Sequence, residues 1–257
     1  MNRRKTINSV FLLVLLLSIQ NLYSQIYEMK VQKSDGSTDT YVTTKVDNIT
    51  FEKIECIDID GNEYKVIRIG DQWWMAENLK VTHYRNGDPI PNITDNSTWE
   101  GLSAGARCYQ ENDSTNNAGT YGCLYNWYAV DSDVDGDGKG DLAPEGWHVP
   151  TDAEWTVLEN YLTANGHSGS EGTALKSTTG WNSGGNGTDD YGFAGLPAGY
   201  RYYFGTFYTM GYYATFWSAS EYDTYNAWYR ALYCNGSDVY RYGNYEDYGF
   251  SVRCVRD

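Results

Sequence analysis

The chain has 257 residues, with 34 Asp and Glu against 19 Lys and Arg, a formal net charge of −15, and 16% aromatic residues including 25 Tyr and 9 Trp. That acidic excess argues against nucleic-acid or anionic-membrane binding, both of which need Lys/Arg patches, and it suits a soluble surface or a cation ligand. The aromatic content is too high for disorder, and the length is enough for one full core with a small appendage.

In chain order, Arg3, Arg4 and Lys5 precede an apolar run from Val10 to Ile19. This run has the length of a signal-peptide core and falls short of the roughly 20 residues that span a bilayer. Cleavage is expected after Ser24, so residues 1–24 read as a signal peptide whose loss moves the net charge from −15 to −18. No later stretch is apolar enough to span a membrane. A secreted or cell-surface location follows, with no membrane insertion after cleavage. Residues 25–54 predict a small β segment: Tyr27–Val31, a turn at Asp35-Gly36, Thr40–Val42, then Val46–Phe51. It is too small to be stable alone and reads as a spacer or docking element.

Residues 55–257 form the main domain. Ile57–Asn62 and Tyr64–Ile69 predict a hairpin around Asp60-Gly61, and Trp73–Leu79 an aromatic segment packed on its sheet. Residues 83–120 are polar and read as loop. Thr151-Asp152-Ala153-Glu154 after Pro150 is a capping box, and Trp155, Leu158 and Leu162 give the following helix one apolar face, ended by Asn165-Gly166. A shorter helix is expected at Glu171–Ser177. Residues 181–257 predict short Tyr-rich strands between long loops. The fold class is therefore α+β, with an irregular, mainly antiparallel sheet, one or two helices and long loops.

Five segments in order resemble one bacterial family: Asp60-Gly61-Asn62, Trp74 to Leu79, Tyr121 to Ala129, Ala143 to Trp155, and Gly249 to Asp257. From about residue 56 to the end the chain resembles the Fibrobacter succinogenes major paralogous domain. That resemblance implies an exported domain without assigned catalytic residues. Pro150 to Trp155 and Gly249 to Cys254 are also similar to motifs of formylglycine-generating enzymes, which implies a C-type-lectin-like fold.

Three features carry chemistry. Asp133, Asp135, Asp137, Lys139 (through its carbonyl) and Asp141 form a D-x-D-x-D-G-x-x-D loop suited to Ca²⁺, which takes six to eight oxygens. It does not complete the twelve-residue EF-hand, so a shorter structural calcium loop is expected. Secondly, aromatic residues crowd the C-terminal half, and Tyr202, Tyr203, Trp217 and Trp228 are candidates for stacking on sugar rings. Thirdly, the five cysteines suggest two local disulfides, Cys108–Cys123 and Cys234–Cys254, leaving Cys56.

No zinc-protease, nucleophile-elbow, Cys-x-x-Cys or phosphate-loop motif is present. His148 reads as structural. The expectation is a non-catalytic domain that binds a glycan or a cell-surface protein. The alternatives are a structural or adhesion module without a small ligand, and a degenerate enzyme of the formylglycine-generating type.

Overall fold

A computed structural model describes residues 28–32, 37–42, 54–132 and 141–257. The chain divides into two compact units, Met1–Lys53 and Ile54–Asp257. In the first, β1 (Glu28–Gln32) and β2 (Thr38–Val42) form an antiparallel hairpin with Lys30 opposite Thr40. The expected strand at Val46–Phe51 lies outside the described residues.

The second unit is mixed α and β, with several small antiparallel sheets and few long helices. Ile57 bridges Glu63 around the Asp60-Gly61 turn. Then β3 (Val66–Ile69) turns through Gly70-Asp71 into β4 (Gln72–Met75). The Trp73–Leu79 segment thus does not merely pack on the sheet; its first half is a strand of it. Two-residue turns need a positive φ, which Gly70 supplies at +62°.

The stretch read as loop contains structure: α1 (Asn96–Trp99), β5 (Arg107–Cys108) and α2 (Ser114–Tyr121). Polar side chains start both helices. Asp95 accepts from the Thr98 amide at 2.8 Å and Asp113 from the Asn116 amide at 3.0 Å. Gly122 ends α2 at φ +70°, where any Cβ would lie 2.5 Å from the Leu79 carbonyl oxygen. β6 (Leu124–Tyr125), α3 (Trp127–Val130) and β7 (Trp147–His148) follow.

The capping box forms as expected at α4 (Asp152–Leu162). Thr151 Oγ1 accepts from the Glu154 amide, and the Glu154 carboxylate accepts from the Thr151 amide at 2.8 Å. Trp155, Leu158 and Leu162 are buried. The shorter helix is α5 (Glu171–Leu175). β8 (Tyr200–Arg201) and β9 (Phe207–Tyr208) form a hairpin. The longest strands then build an antiparallel sheet of β10 (Tyr213–Asp223), β11 (Asn226–Tyr233) and β12 (Tyr240–Tyr245). β13 (Val255–Arg256) returns to the first sheet, in the order β3-β4-β13-β7.

Alternation along these strands splits the core. Trp74, Val255, Phe216 and Leu232 pack with Trp155, Leu158 and Phe193 on the α4 side. Met75, Cys254, Val252 and Trp217 pack with Tyr125, Trp147 and Phe250 on the other. No helix among the described residues is long and apolar enough to cross a membrane.

Candidate ligand-binding face

The β10–β12 sheet gathers tyrosines by register. Tyr213 stands opposite Tyr233, Trp217 opposite Tyr229, Tyr229 opposite Tyr242 and Ala231 opposite Tyr240. Residues paired across strands share a face. One face therefore carries Tyr213, Thr215, Trp217, Tyr229, Ala231, Tyr233, Tyr240 and Tyr242. The other carries Ala214, Phe216, Arg230 and Leu232 and packs on α4.

The rings touch in an unbroken series. Centroids are 6.2 Å apart for Tyr242–Tyr240, 4.6 Å for Tyr240–Tyr233 and 4.4 Å for Tyr233–Tyr213. The series crosses to the β8–β9 hairpin at Tyr213–Tyr200 (6.5 Å) and Tyr200–Tyr208 (5.9 Å). It continues through Tyr208–Tyr202 (5.6 Å), Tyr202–Tyr203 (4.3 Å) and Tyr203–Phe204 (4.0 Å). Most rings are half-buried, while Tyr208, Tyr242 and Phe204 are 47%, 42% and 48% exposed. A cavity of about 100 Å³ opens within the strip, between Tyr200, Tyr213, Tyr233 and Tyr248, with Thr215 and Asn244 as polar lining.

The hairpin that carries Tyr200 to Tyr208 is held by one buried cation. The Arg201 guanidinium donates to the Gly205 carbonyl at 2.7 Å, to the Ile93 carbonyl and to Asn96 Oδ1 at 3.2 Å. It lies 4.3 Å from the Trp99 ring. Gly205, at φ +85°, closes the hairpin turn where a Cβ would meet Asn96 Cα at 2.5 Å. Burial and neighbouring phenols push the Tyr229 hydroxyl up to about 12, and a hydrogen bond to Tyr202 holds Tyr203 at about 12. These phenols stay neutral at physiological pH, available as donors and acceptors.

Of the aromatic candidates, Tyr202 and Tyr203 belong to this strip. Trp217 does not. It is fully buried, donates its indole N–H to the Tyr125 carbonyl at 2.8 Å, and is covered by Phe250 at 4.3 Å. Its inward position on the tyrosine face places it under the core, not in the strip. Trp228 is half-buried on the opposite face, with the Arg241 guanidinium 3.4 Å from its ring and Tyr222 at 4.5 Å, so the structure separates it from Tyr202. Tyr200, Tyr208 and Tyr213 belong to the aromatic crowding seen in the sequence without being singled out, whereas Tyr233, Tyr240 and Tyr242 escaped sequence reasoning. The signal available was tyrosine at alternate positions, as in Tyr240 and Tyr242, which marks one face of a strand.

The motif residues are structural anchors. Arg253 is fully buried; it donates to Asn78 Oδ1 at 3.0 Å, to the Ala194 carbonyl at 2.9 Å and to the Phe193 carbonyl. Asn78 in turn donates to the Tyr121 carbonyl at 2.9 Å and to Ser251 Oγ at 3.2 Å. His148 bridges Glu154 (2.8 Å) and Asp257 (2.6 Å). The family model of the Fibrobacter succinogenes major domain matches residues 67–256, the span that these anchors tie together. The chain belongs to this family. No curated protein and no solved structure matches it.

Within this Fibrobacter succinogenes major domain, Asp133, Asp135, Asp137 and Lys139 lie outside the described residues. Asp141 is described: its side chain is buried, its amide donates to the Ser132 carbonyl at 2.6 Å, and its carbonyl accepts from the Arg85 amide at 2.9 Å. Among the described residues no cluster of three His, Cys, Asp or Glu is placed to hold a metal.

All five cysteines are free thiols here, so neither expected disulfide is formed. Register explains the first. Cys108 pairs with Leu124 and faces Trp99 and Ala106, whereas Cys123, one residue from Leu124, faces Tyr125 and the other core group. For the second, Cys234 packs at the margin of the α4-side group while Cys254 is fully buried in the opposite one. Burial pushes Cys254 well above a free thiol's range, which leaves it inert as a nucleophile.

Proposed function

We propose that this domain is a non-catalytic glycan-binding module of the cell exterior, in which sugar rings stack along the tyrosine strip. The observation that supports it is the unbroken series of aromatic rings, tyrosines but for Phe204 and mostly half-buried, from Tyr242 to Phe204, on a sheet face and an adjoining hairpin. Tyrosine offers a flat apolar body with a polar tip and loses little entropy when a ligand covers it. Neutral phenols accept and donate to hydroxyls without inviting charge. The acidic net charge of the chain disfavours anionic glycans, so the fitting ligand is a neutral polysaccharide. A C-type-lectin-like arrangement of the small sheets is part of this reading. So are export through the N-terminal signal and Ca²⁺ in the Asp133–Asp141 loop as a structural ion. An inert, buried Cys254 speaks against the enzyme alternative.

The test is affinity electrophoresis and fluorescence titration of the full chain against neutral β-glucan, mannan and xylan, with Ca²⁺ and with chelator. Binding should survive chelation. The double substitution Tyr213→Ala, Tyr233→Ala should weaken it at least tenfold, about 1.4 kcal/mol, without altering the fold by circular dichroism. Trp228→Ala, on the opposite face, should leave binding unchanged. Retention by none of the three polymers, or equal binding by the double variant, would sink the reading and return the adhesion module to first place.

A further inference from the structure

The free fifth cysteine finds its partner in the path of the chain. Cys254 and Met75 face the same side of the β3-β4-β13-β7 sheet, away from α4, and Cys56 and Tyr64 pack on that side with them. The segment entering the domain runs across this face. The Glu55 carbonyl accepts from the Trp147 indole N–H at 3.2 Å, at the β7 edge. The next carbonyl, of Cys56, accepts from the Tyr64 amide at 2.9 Å, just before β3 at the other edge. The Cys56 side chain packs in the same core group as Met75, Trp147 and Cys254. There Met75 and Cys254 are joined by the bond from the Met75 amide to the Cys254 carbonyl at 3.0 Å. Both thiols are buried, at 2% and 0% exposure. Burial, with the neighbouring Cys56 next, raises the Cys254 thiol. Cys108 and Cys123, though near each other, fall in different core groups on the two sides of one ribbon, and Cys234 packs with the α4-side group.

We infer that Cys56 and Cys254 form a disulfide in an oxidising compartment, and that this bond makes the domain inextensible from end to end. During folding the two S–H bonds break and one S–S bond forms. Two protons and two electrons pass to a dithiol-exchange oxidant, such as oxidised glutathione, whose disulfide becomes two thiols. Cys56 lies near the start of the unit Ile54–Asp257 and Cys254 near its end. Tension applied through the chain would run through the S–S bond and bypass almost all of the fold. That property fits a module anchored at one end and held by a ligand elsewhere. The inference rests on export of the domain, and its test is independent of glycan binding.

The full chain is reduced and unfolded, refolded in a glutathione redox buffer, alkylated in denaturant without reduction, and mapped. A peptide linking Cys56 to Cys254 is expected, with alkyl groups on Cys108, Cys123 and Cys234. Pulled by its two ends, the oxidised chain should lack the extension of roughly 650–700 Å that some 200 residues release on unfolding. That extension should appear after reduction, and in Cys56→Ser without reduction. Alkylation of both Cys56 and Cys254 in the oxidised chain, a Cys254–Cys234 link, or the full extension before reduction would each overturn it. Cys56 lies outside the named strands, so its serine variant should fold even where Cys254→Ser does not.

Discussion

Among the described residues three guanidinium groups are fully buried, and their partners separate them. Arg230 faces carboxylates, Asp152 at 2.8 Å and Glu159. Arg201 is held chiefly by backbone carbonyls and Arg253 by carbonyls and a side-chain amide. A buried cation held by carbonyls has its charge spread over many dipoles, and burial still lowers Arg253 to about 9. Its replacement by Met would strand the Phe193 and Ala194 carbonyls and Asn78 Oδ1, each costing about 1–3 kcal/mol when left unsatisfied. Arg253→Met is accordingly expected to lower unfolding free energy by about 3–5 kcal/mol in urea titration, and Asn78→Ala by less. A loss below about 1 kcal/mol would mean that water reaches those carbonyls. These residues stood out in the sequence as family motifs, but a motif string does not say that its Asn and Arg bond each other across 175 residues.

At the scale of elements, legibility followed local signal. α4 was readable because its capping box, apolar face and stop all lie within the helix. α2 was not: Ser114–Tyr121 buries only Asn117, so no apolar period announces it. β4 was missed as a strand because Gln72–Met75 lacks strict alternation, Trp74 packing toward α4 and Met75 into the core group on the other face. The tyrosine strip depends on pairing between strands, which single-strand patterns do not reveal. The expected disulfide pairs rested on nearness in sequence, which does not reveal which side of β5 and β6 each thiol faces. The aspartate loop tests the opposite case, a purely local signal. Its flanks, Ser132 and Asp141, are already bonded together, so an ion would cross-link a pre-closed loop. With a dissociation constant near 0.1 mM, in the weaker extracellular range, about 1 mM Ca²⁺ adds roughly 1.4 kcal/mol. That corresponds to a Tm rise of about 3–5 °C. Asp135→Ala with Asp137→Ala should remove the rise in calorimetry, and an unchanged wild-type melting curve would dismiss the ion.

For the whole molecule, the charge balance sets a pH preference. His148, placed between Glu154 and Asp257, is raised above 6.5 by its bonds to both carboxylates, Glu154 first. A raised histidine contributes stability that is complete below 6.5 and is lost as pH climbs through the folded value. Burial also raises Glu159, Asp189, Glu246 and Asp247. Each of these folded carboxyls holds its proton more tightly than the unfolded chain does, so each likewise costs stability as pH rises. Against them stand the lowered carboxyls, Glu154 and Asp152 among them, with Asp60 and Glu171. For Glu154 and Asp152, hydrogen bonds, to His148 and Thr151 for one and to Arg241 and Arg230 for the other, outweigh burial and lower both below 4.5 and 3.8. Their contribution is present above those values and lost on acidification. The two sets cross between about 4.5 and 6.5, where the acidic chain also repels itself less than at higher pH. Calorimetry is expected to show maximal Tm in that window and a steady fall toward pH ~8. His148→Gln, which keeps a polar side chain but cannot carry the charge, should flatten the fall between 6.5 and 8 and leave the acid limb in place. A wild-type maximum above neutrality would show that the His148 bridge is not charged in the folded protein, leaving the backbone pairing of β13 with β7 and the packing of α4 to hold these elements.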